Sequence, residues 1–329
     1  MCGIYLTNIP FEENLVKEKL DSISFRGPDY TDIKKVNNLT LGHLRLSILD
    51  LDARSHQPMI HENLHIVFNG EIYNYKDIKD ELLKKGHNFK TESDTEVLLI
   101  GYKEWGEGIL QKINGMFAFC IYNTKSNTIF SARDRLGVKP FYYYWKDAQF
   151  EICSQIRPLL KNKKINEEAV SMFLDCKFIP SPYTIAENVH KLPPGNFMKI
   201  DLNSKEFVIK EYWNLDYVKT RNIPYEDAKI ELHDLLIDAV KIRLQSDVPI
   251  GSFLSGGIDS ALISSIAAKV SDTPINTFSI GFKDPEYDES KIAEQYAKII
   301  GSNHKTTICS TEDIFKLIPK LVEVYDEPF

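Results

Sequence analysis

Cys2 follows the initiator methionine in the opening Met1-Cys2-Gly3-Ile4. Initiator methionine is generally trimmed before a small residue, so the mature chain is expected to begin with cysteine. One residue would then carry a thiol and a free α-amine. An α-amine has a pKa of about 7.7–8.0 and a thiol about 8.5. Near neutral pH part of the amine is unprotonated. It can act as a base toward its own thiol, directly or through one water, as in N-terminal threonine nucleophiles. Position alone leaves open an ordinary cysteine that happens to sit second.

A second chemical feature is Ser255-Gly256-Gly257-Ile258-Asp259-Ser260, between an apolar strand and an amphipathic helix. Glycines let backbone N–H groups approach an anion, and a helix N-terminus adds partial positive charge. The two serines can add hydroxyl donors. The loop is not a Walker A, because no lysine follows the glycines, and it is not G-x-G-x-x-G. Asp259 would repel a phosphate unless magnesium lay between them, since magnesium favours carboxylate plus phosphate oxygens. A glycine-rich turn with Asp259 as a helix cap is the structural alternative.

Further polar clusters lie in the first half. Arg26-Gly27-Pro28-Asp29 combines turn residues with charges. Arg45 stands in the apolar stretch 42–50, and a buried arginine needs an anion, from the protein or from a ligand. Asn69-Gly70-Glu71 follows an expected strand over 64–69. An asparagine amide beside a glycine N–H makes a two-donor oxyanion site. Asp94 opens a helix and reads locally as its N-cap. Residues 133–137 read as an ion-pair turn. A thiol, an oxyanion site and an arginine for a carboxylate are the parts needed for acyl transfer from a side-chain amide.

The elements that must position these residues change character along the chain. Residues 116–122 with 128–133, and 140–145 with 149–154, read as hairpins. Helices are expected over 75–86 and 94–105, and β structure over 191–213. From residue 225 the pattern becomes helix 225–245, strand 248–254, helix 260–270, strand 276–282, helix 288–300, strand 305–309 and helix 311–325. Alternation at this spacing predicts a parallel, doubly wound sheet. The reading is therefore an α+β domain of layered antiparallel sheets over 1–214 and an α/β domain over 215–329.

The 329 residues carry a net charge of −7 and no basic block, which argues against nucleic acid and anionic membranes as partners. No apolar run approaches the roughly 18–20 residues of a transmembrane helix, and no signal peptide opens the chain. Five scattered cysteines form no C-x-x-C pair, which suits reduced thiols in the cytoplasm. Cys120 and Cys153 read as buried strand residues.

MCGI, RGPD, LGHLRLSILD, QPM, FNGEIYNY, SDTEVLL, NGMFAFCIY, RDRLGVKPFYY and LPPG resemble the class-II glutamine amidotransferase domain of the asparagine synthetase B family. VPIGSFLSGGIDS, TFSIGF, the Tyr287-Asp288-Glu289 run and VEVYDEPF resemble its synthetase domain. Each half alone is shared with other enzymes; the ordered combination is specific.

The resemblance implies an N-terminal-nucleophile fold followed by an adenine nucleotide α-hydrolase-like fold. It implies that Cys2 forms a glutamyl thioester and that Asn69 and Gly70 form the oxyanion hole. Arg45 would hold the glutamine carboxylate and Asp94 its α-amine, with Glu71, Ile48 and Leu49 lining the pocket. Leu254 and Ile280 would border adenine, Ser255, Gly256, Gly257, Ile258, Asp259 and Ser260 would cradle pyrophosphate, and Asp259 would hold magnesium. The implied reaction consumes aspartate, ATP and glutamine through a β-aspartyl-AMP intermediate, with ammonia passing through a tunnel, in an enzyme that suggests a homodimer.

The family pattern continues past Asp326-Glu327-Pro328-Phe329. The second domain therefore reads as the N-terminal portion of a longer one, and this span as glutaminase-competent only. Two other readings stay open: amidation of another carboxylate acceptor, such as a surface sugar or a β-lactam-type substrate, and a non-enzymatic scaffold.

Overall fold

The computed structural model describes residues 1–328. It divides into two compact units: Met1–Lys219 together with the segment from Tyr325 onward, and Thr220–Val324.

The first unit opens with β1 (Gly3–Thr7), α1 (Glu13–Asp21), β2 (Tyr30–Val36), β3 (Leu39–Arg45), β4 (Met59–His61) and β5 (Leu64–Ile72). It continues through α2 (Tyr75–Lys84), α3 (Asp94–Trp105), α4 (Ile109–Lys112), β6 (Gly115–Asn123) and β7 (Thr128–Arg133). It closes with β8 (Tyr142–Lys146), β9 (Gln149–Cys153), α5 (Glu167–Cys176), β10 (Val189–Lys191), β11 (Asn196–Asp201) and β12 (Glu206–Glu211). Two antiparallel sheets result, ordered β10-β8-β9-β1-β3-β2 and β12-β11-β7-β6-β5-β4.

Side chains on a strand alternate between faces, and that alternation builds the layers. Ile4 and Leu6 of β1 point inward, where they meet Val67, Ala118, Cys120 and Ile129 of the second sheet. Tyr5, between them, points outward to Val16 and Leu20 of α1. On the far side, Phe117, Phe119 and Ile121 lie against Leu82 of α2 and Leu98 and Leu99 of α3. The order of layers is helix, sheet, sheet, helix.

Both expected hairpins form. The β8–β9 turn is Asp147-Ala148 alone, with both residues at positive φ, the geometry of a tight two-residue turn whose twist matches the strands. The strand expected over 64–69 runs on to Ile72, because its ladder with β6 continues to Gly115. Asn69, Gly70 and Glu71 therefore lie inside β5 rather than after it.

The second unit holds α6 (Tyr225–Arg243), β13 (Gly251–Phe253), α7 (Ile258–Val270), β14 (Asn276–Phe282), α8 (Ser290–Ile300), β15 (Asn303–Cys309) and α9 (Thr311–Val324). Its parallel sheet has the order β13-β14-β15. The strand expected over 248–254 shrinks to three residues: β13 is an edge strand, and Pro249 has no N–H to give a ladder. Asp326 and Glu327 belong to the first unit. Asp326 pairs with Arg157 at 2.8 Å and Glu327 with Lys191 at 2.8 Å. Among the described residues no helix is long and apolar enough to cross a membrane.

The strand that carries Cys2 is braced from behind by a buried charge cluster. Glu151 on β9 pairs with Lys19 of α1 at 2.7 Å and accepts the Tyr5 hydroxyl of β1 at 2.6 Å. Lys19 and Glu151 are 8% and 5% exposed, so removing one partner strands a charge in a dry site. Lys19→Met should lower unfolding free energy by about 3–5 kcal/mol, read by urea denaturation; a loss under 1 kcal/mol would show the pair to be dispensable.

Candidate active site

β1 runs between β9 and β3, so the residue before it emerges at the end of the sheet centre. There the Cys2 Sγ accepts the Leu46 N–H at 3.4 Å. Arg26, 8% exposed, donates from Nε to the Cys2 carbonyl at 3.1 Å and from Nη1 to Gln155 at 3.1 Å. Asp29 accepts the Ser47 N–H at 2.7 Å. A Cβ on Gly27 would lie 2.3 Å from the Leu44 carbonyl, so only glycine lets this turn close on β3. The R-G-P-D cluster thus fixes the backbone around the thiol. Burial pushes the Cys2 thiol up, against the Leu46 N–H, the amino terminus and Lys139, which hold it down. Burial also lowers the α-amine of Met1, opposed by Cys2 and Asp29 and helped by Lys139 and Arg26.

β5 supplies the facing wall. In an antiparallel pair, successive residues turn their peptide groups alternately toward and away from the partner. The Phe117 N–H and C=O both bond Asp134, at 3.2 and 2.8 Å, so Gly70, opposite Phe117, turns its peptide groups away from β6. β4 pairs only with Leu64 to Ile66 of that outer edge. Beyond it the Phe68 N–H is taken by Gln57 Oε1 at 2.6 Å and the Ile72 N–H by Asp94 at 2.9 Å. The Gly70 N–H lies between them and faces the cavity. A Cβ there would meet the Met116 carbonyl at 2.3 Å.

The next face of the strand carries Val67, Asn69 and Glu71. Val67 is in the inter-sheet core, and the other two continue that face to the cavity that Cys2 lines. Asn69 is 1% exposed, and neither its Nδ2 nor its Oδ1 has a partner among the described residues. Buried polar groups are normally satisfied, so this carboxamide brings an open donor and an open acceptor to the cavity wall. Arg45 donates to the carbonyls of Asp52, Leu49 and Asp50 at 3.1, 3.4 and 2.5 Å. It wraps the 48–52 loop around itself yet forms no ion pair among the described residues. The cavity has a volume of about 160 Å³, with Ile48, Leu49 and Met116 as apolar lining.

In the second unit the serine–glycine loop joins β13 to α7. Ser255 N–H donates to Ser260 Oγ at 3.0 Å, and Gly257 N–H to Ser255 Oγ at 3.1 Å. Gly256 N–H already takes an anion, the Glu289 carboxylate, at 3.0 Å. Ile258 and Asp259 form the first turn of α7, so the helix starts two residues earlier than expected. The Leu254 side chain is buried against Ala293 and Ala297 of α8, while Ile280 is exposed on β14. Among the described residues no three His, Cys, Asp or Glu side chains form a metal cluster. One loop carboxylate suits magnesium only in company with phosphate oxygens.

Residues 1–213 match the glutamine amidotransferase domain family, and residues 231–329 match the asparagine synthase family. A protein of Methanocaldococcus jannaschii, provisionally named asparagine synthetase [glutamine-hydrolyzing] 2, is 38% identical over 100% of this chain and 69% of its own length. The chain belongs to the glutamine-hydrolysing asparagine synthetase family. Asparagine synthetase [glutamine-hydrolyzing] 1 of Bacillus subtilis is 35% identical over 100% of this chain, which spans 53% of that protein. Glutamine phosphoribosylpyrophosphate amidotransferase from B. subtilis shares the fold, with a TM-score of 0.50 and 16% identity over 93% of this chain and 65% of its own.

Within this family member, three features of the first-unit site escape the sequence. Ser93, not Asp94, caps α3, its side chain accepting the Thr95 N–H. Asp94 is thereby free to reach Ile72. The 133–137 turn is not an ion pair: Arg133 donates to the carbonyls of Lys139, Leu192 and Gly137, while Asp134 accepts the N–H groups of Phe117, Leu136, Val138 and Lys139. That turn delivers Lys139, 5% exposed, to the cavity. A lysine inside the apolar run after Gly137 was the available signal.

Burial raises the Asp94 carboxyl to about 7, opposed by the Ile72 N–H and reinforced by Glu71. Its pKa is higher folded than unfolded, so the folded state holds the proton more tightly. Stability is undiminished below the unfolded value and falls as pH rises toward the folded one. Asp94→Asn should therefore stabilise the protein by about 1–3 kcal/mol at pH 8 and leave it unchanged near pH 4. Thermal melts at the two pH values test this; equal effects at both would exclude a buried carboxylate of raised pKa.

Proposed function

We propose that the chain hydrolyses glutamine at Cys2 to glutamate and ammonia. The observation that carries this reading is the buried Asn69 carboxamide, without a partner among the described residues, beside the free edge of Gly70, in one cavity with a thiol and an arginine that forms no ion pair among those residues. With Met1 removed, the α-amine of Cys2 takes the thiol proton as Sγ attacks the side-chain amide carbon. Asn69 Nδ2 and the Gly70 N–H hold the oxyanion. The C–N bond breaks, the amine's proton leaves with ammonia, and water hydrolyses the thioester. Arg45 holds the α-carboxylate of glutamine, while Asp94 and Glu71 hold its α-ammonium between Ile48 and Leu49.

In this reading residues 1–214 are the glutaminase domain and residues 215–329 a portion of the synthetase domain. Ser255, Gly256, Gly257, Ile258 and Ser260 receive the ATP phosphates, with Ile280 and the Leu254 backbone beside the base. Asp259 would hold magnesium, which supplies charge compensation in a loop without lysine. The whole protein amidates aspartate to asparagine at the expense of ATP. Its setting is the cytoplasm, where free thiols persist, and its assembly a homodimer.

Intact mass should show loss of Met1, and Cys2→Ala should abolish glutamate release. Full activity with Met1 retained would exclude the amine as base. Asn69→Ala should lower kcat by about 10²–10³ with a smaller change in KM. With ATP, glutamine and labelled aspartate, the whole protein should form asparagine; glutamate release with no labelled product would reject aspartate as acceptor.

A further inference from the structure

We infer that Lys139 is a positioning residue whose ammonium shares the cavity with the Cys2 thiol and favours its thiolate. The inference rests on the glutaminase reading above for its catalytic meaning, but its physical content is separate. Lys139 is 5% exposed and lines the cavity with Cys2, Met1 and Glu71. Its ammonium makes no hydrogen bond and no ion pair among the described residues. The stem is buried while the ammonium opens on the cavity, where Glu71 is the nearest opposing charge in effect.

The backbone that presents it is unusually constrained. The Lys139 N–H donates to Asp134 at 2.9 Å, and its carbonyl accepts Arg133 Nε at 2.8 Å. Asp134, 1% exposed, fixes the same turn through three further N–H groups. Four donors on one carboxylate and three carbonyls on one guanidinium thus set the position of a single cation.

The thiol poses a problem that such a cation answers. Burial disfavours its charged form, and Asp94 on α3 adds a negative charge. Glu71 on β5 faces Lys139, and Asp29 faces the amino terminus. Against them stand the Leu46 N–H, Arg26, the terminus itself and Lys139. A positive charge lowers the proton affinity of a thiol and of an amine alike. The thiol is the group that matters here, because its thiolate is the nucleophile.

The test is the pH dependence of Cys2 alkylation by iodoacetamide, read by mass spectrometry, beside the pH profile of kcat/KM for glutamine. In Lys139→Met the acid limb of both should move up by about one pH unit, with alkylation at pH 7 slowed roughly tenfold. Lys139→Arg should restore most of the shift, and KM should change less than kcat. A folded Lys139→Met protein with an unchanged alkylation profile would overturn the inference. Lys139→Gln runs in parallel, and loss of folding in both would assign the ammonium to stability and overturn it as well. If the unsubstituted protein released no glutamate while Lys139 still set thiol reactivity, the glutaminase reading would fall and this inference would stand.

Discussion

The outer edge of β5 has to be satisfied group by group, because peptide groups inside a sheet cannot be left unpaired without cost. β4 takes the first part of that edge, Gln57 takes Phe68 and Asp94 takes Ile72. Each substitute acceptor must come from elsewhere in the chain, and each arrives carrying its own support. His43 crosses from the first sheet to donate to the Phe68 carbonyl at 3.1 Å, and burial pushes it down to about 3, so it stays neutral. Gln57 bonds Thr95 of α3 at 3.3 Å. The gap left at Gly70 is the position around which the cavity is organised.

A site of this kind is costly to fold. An unsatisfied buried polar group costs about 1–3 kcal/mol, and Asn69 brings two such atoms into a cavity that also holds the ionisable groups of Asp94 and Lys139. The sandwich can carry that cost because its apolar layers are continuous on both sides of the second sheet. Rigid strands rather than mobile loops hold Asn69 and Gly70, which suits groups that must be placed before a substrate arrives. The thiol, by contrast, hangs from a chain terminus and needs Arg26 and Leu46 to hold it still.

The second unit shows the same economy at lower burial. Its serine–glycine loop satisfies its own donors with Ser255 and Ser260, and borrows Glu289 for Gly256. An exposed carboxylate is exchangeable, whereas a buried one is not, so this loop can release its internal anion to a stronger ligand. Among the described residues Asp259 belongs to no metal cluster, which makes any cation there dependent on the phosphates it would accompany.

Much of this was legible in residue order. The alternation of apolar residues marked the hairpins, the glycines marked Gly70 and the 255–260 loop, and position singled out Cys2 without deciding between a nucleophile and an ordinary thiol. Those signals are local: they depend on a residue's own backbone needs or on neighbours within a few positions. Asp94 was misread as a cap because a carboxylate at a helix start has a good local use, and only the approach of β5 gives it a different one. Lys139 stood out only as a lysine inside an apolar run, and nothing within the 133–139 turn says that it meets Cys2, at the far end of the chain, in one cavity. Sequence therefore determined which groups exist and which backbone shapes they permit. Only tertiary structure decided which of them are buried together, because burial and the charges across a cavity are set by strands that meet from distant parts of the chain.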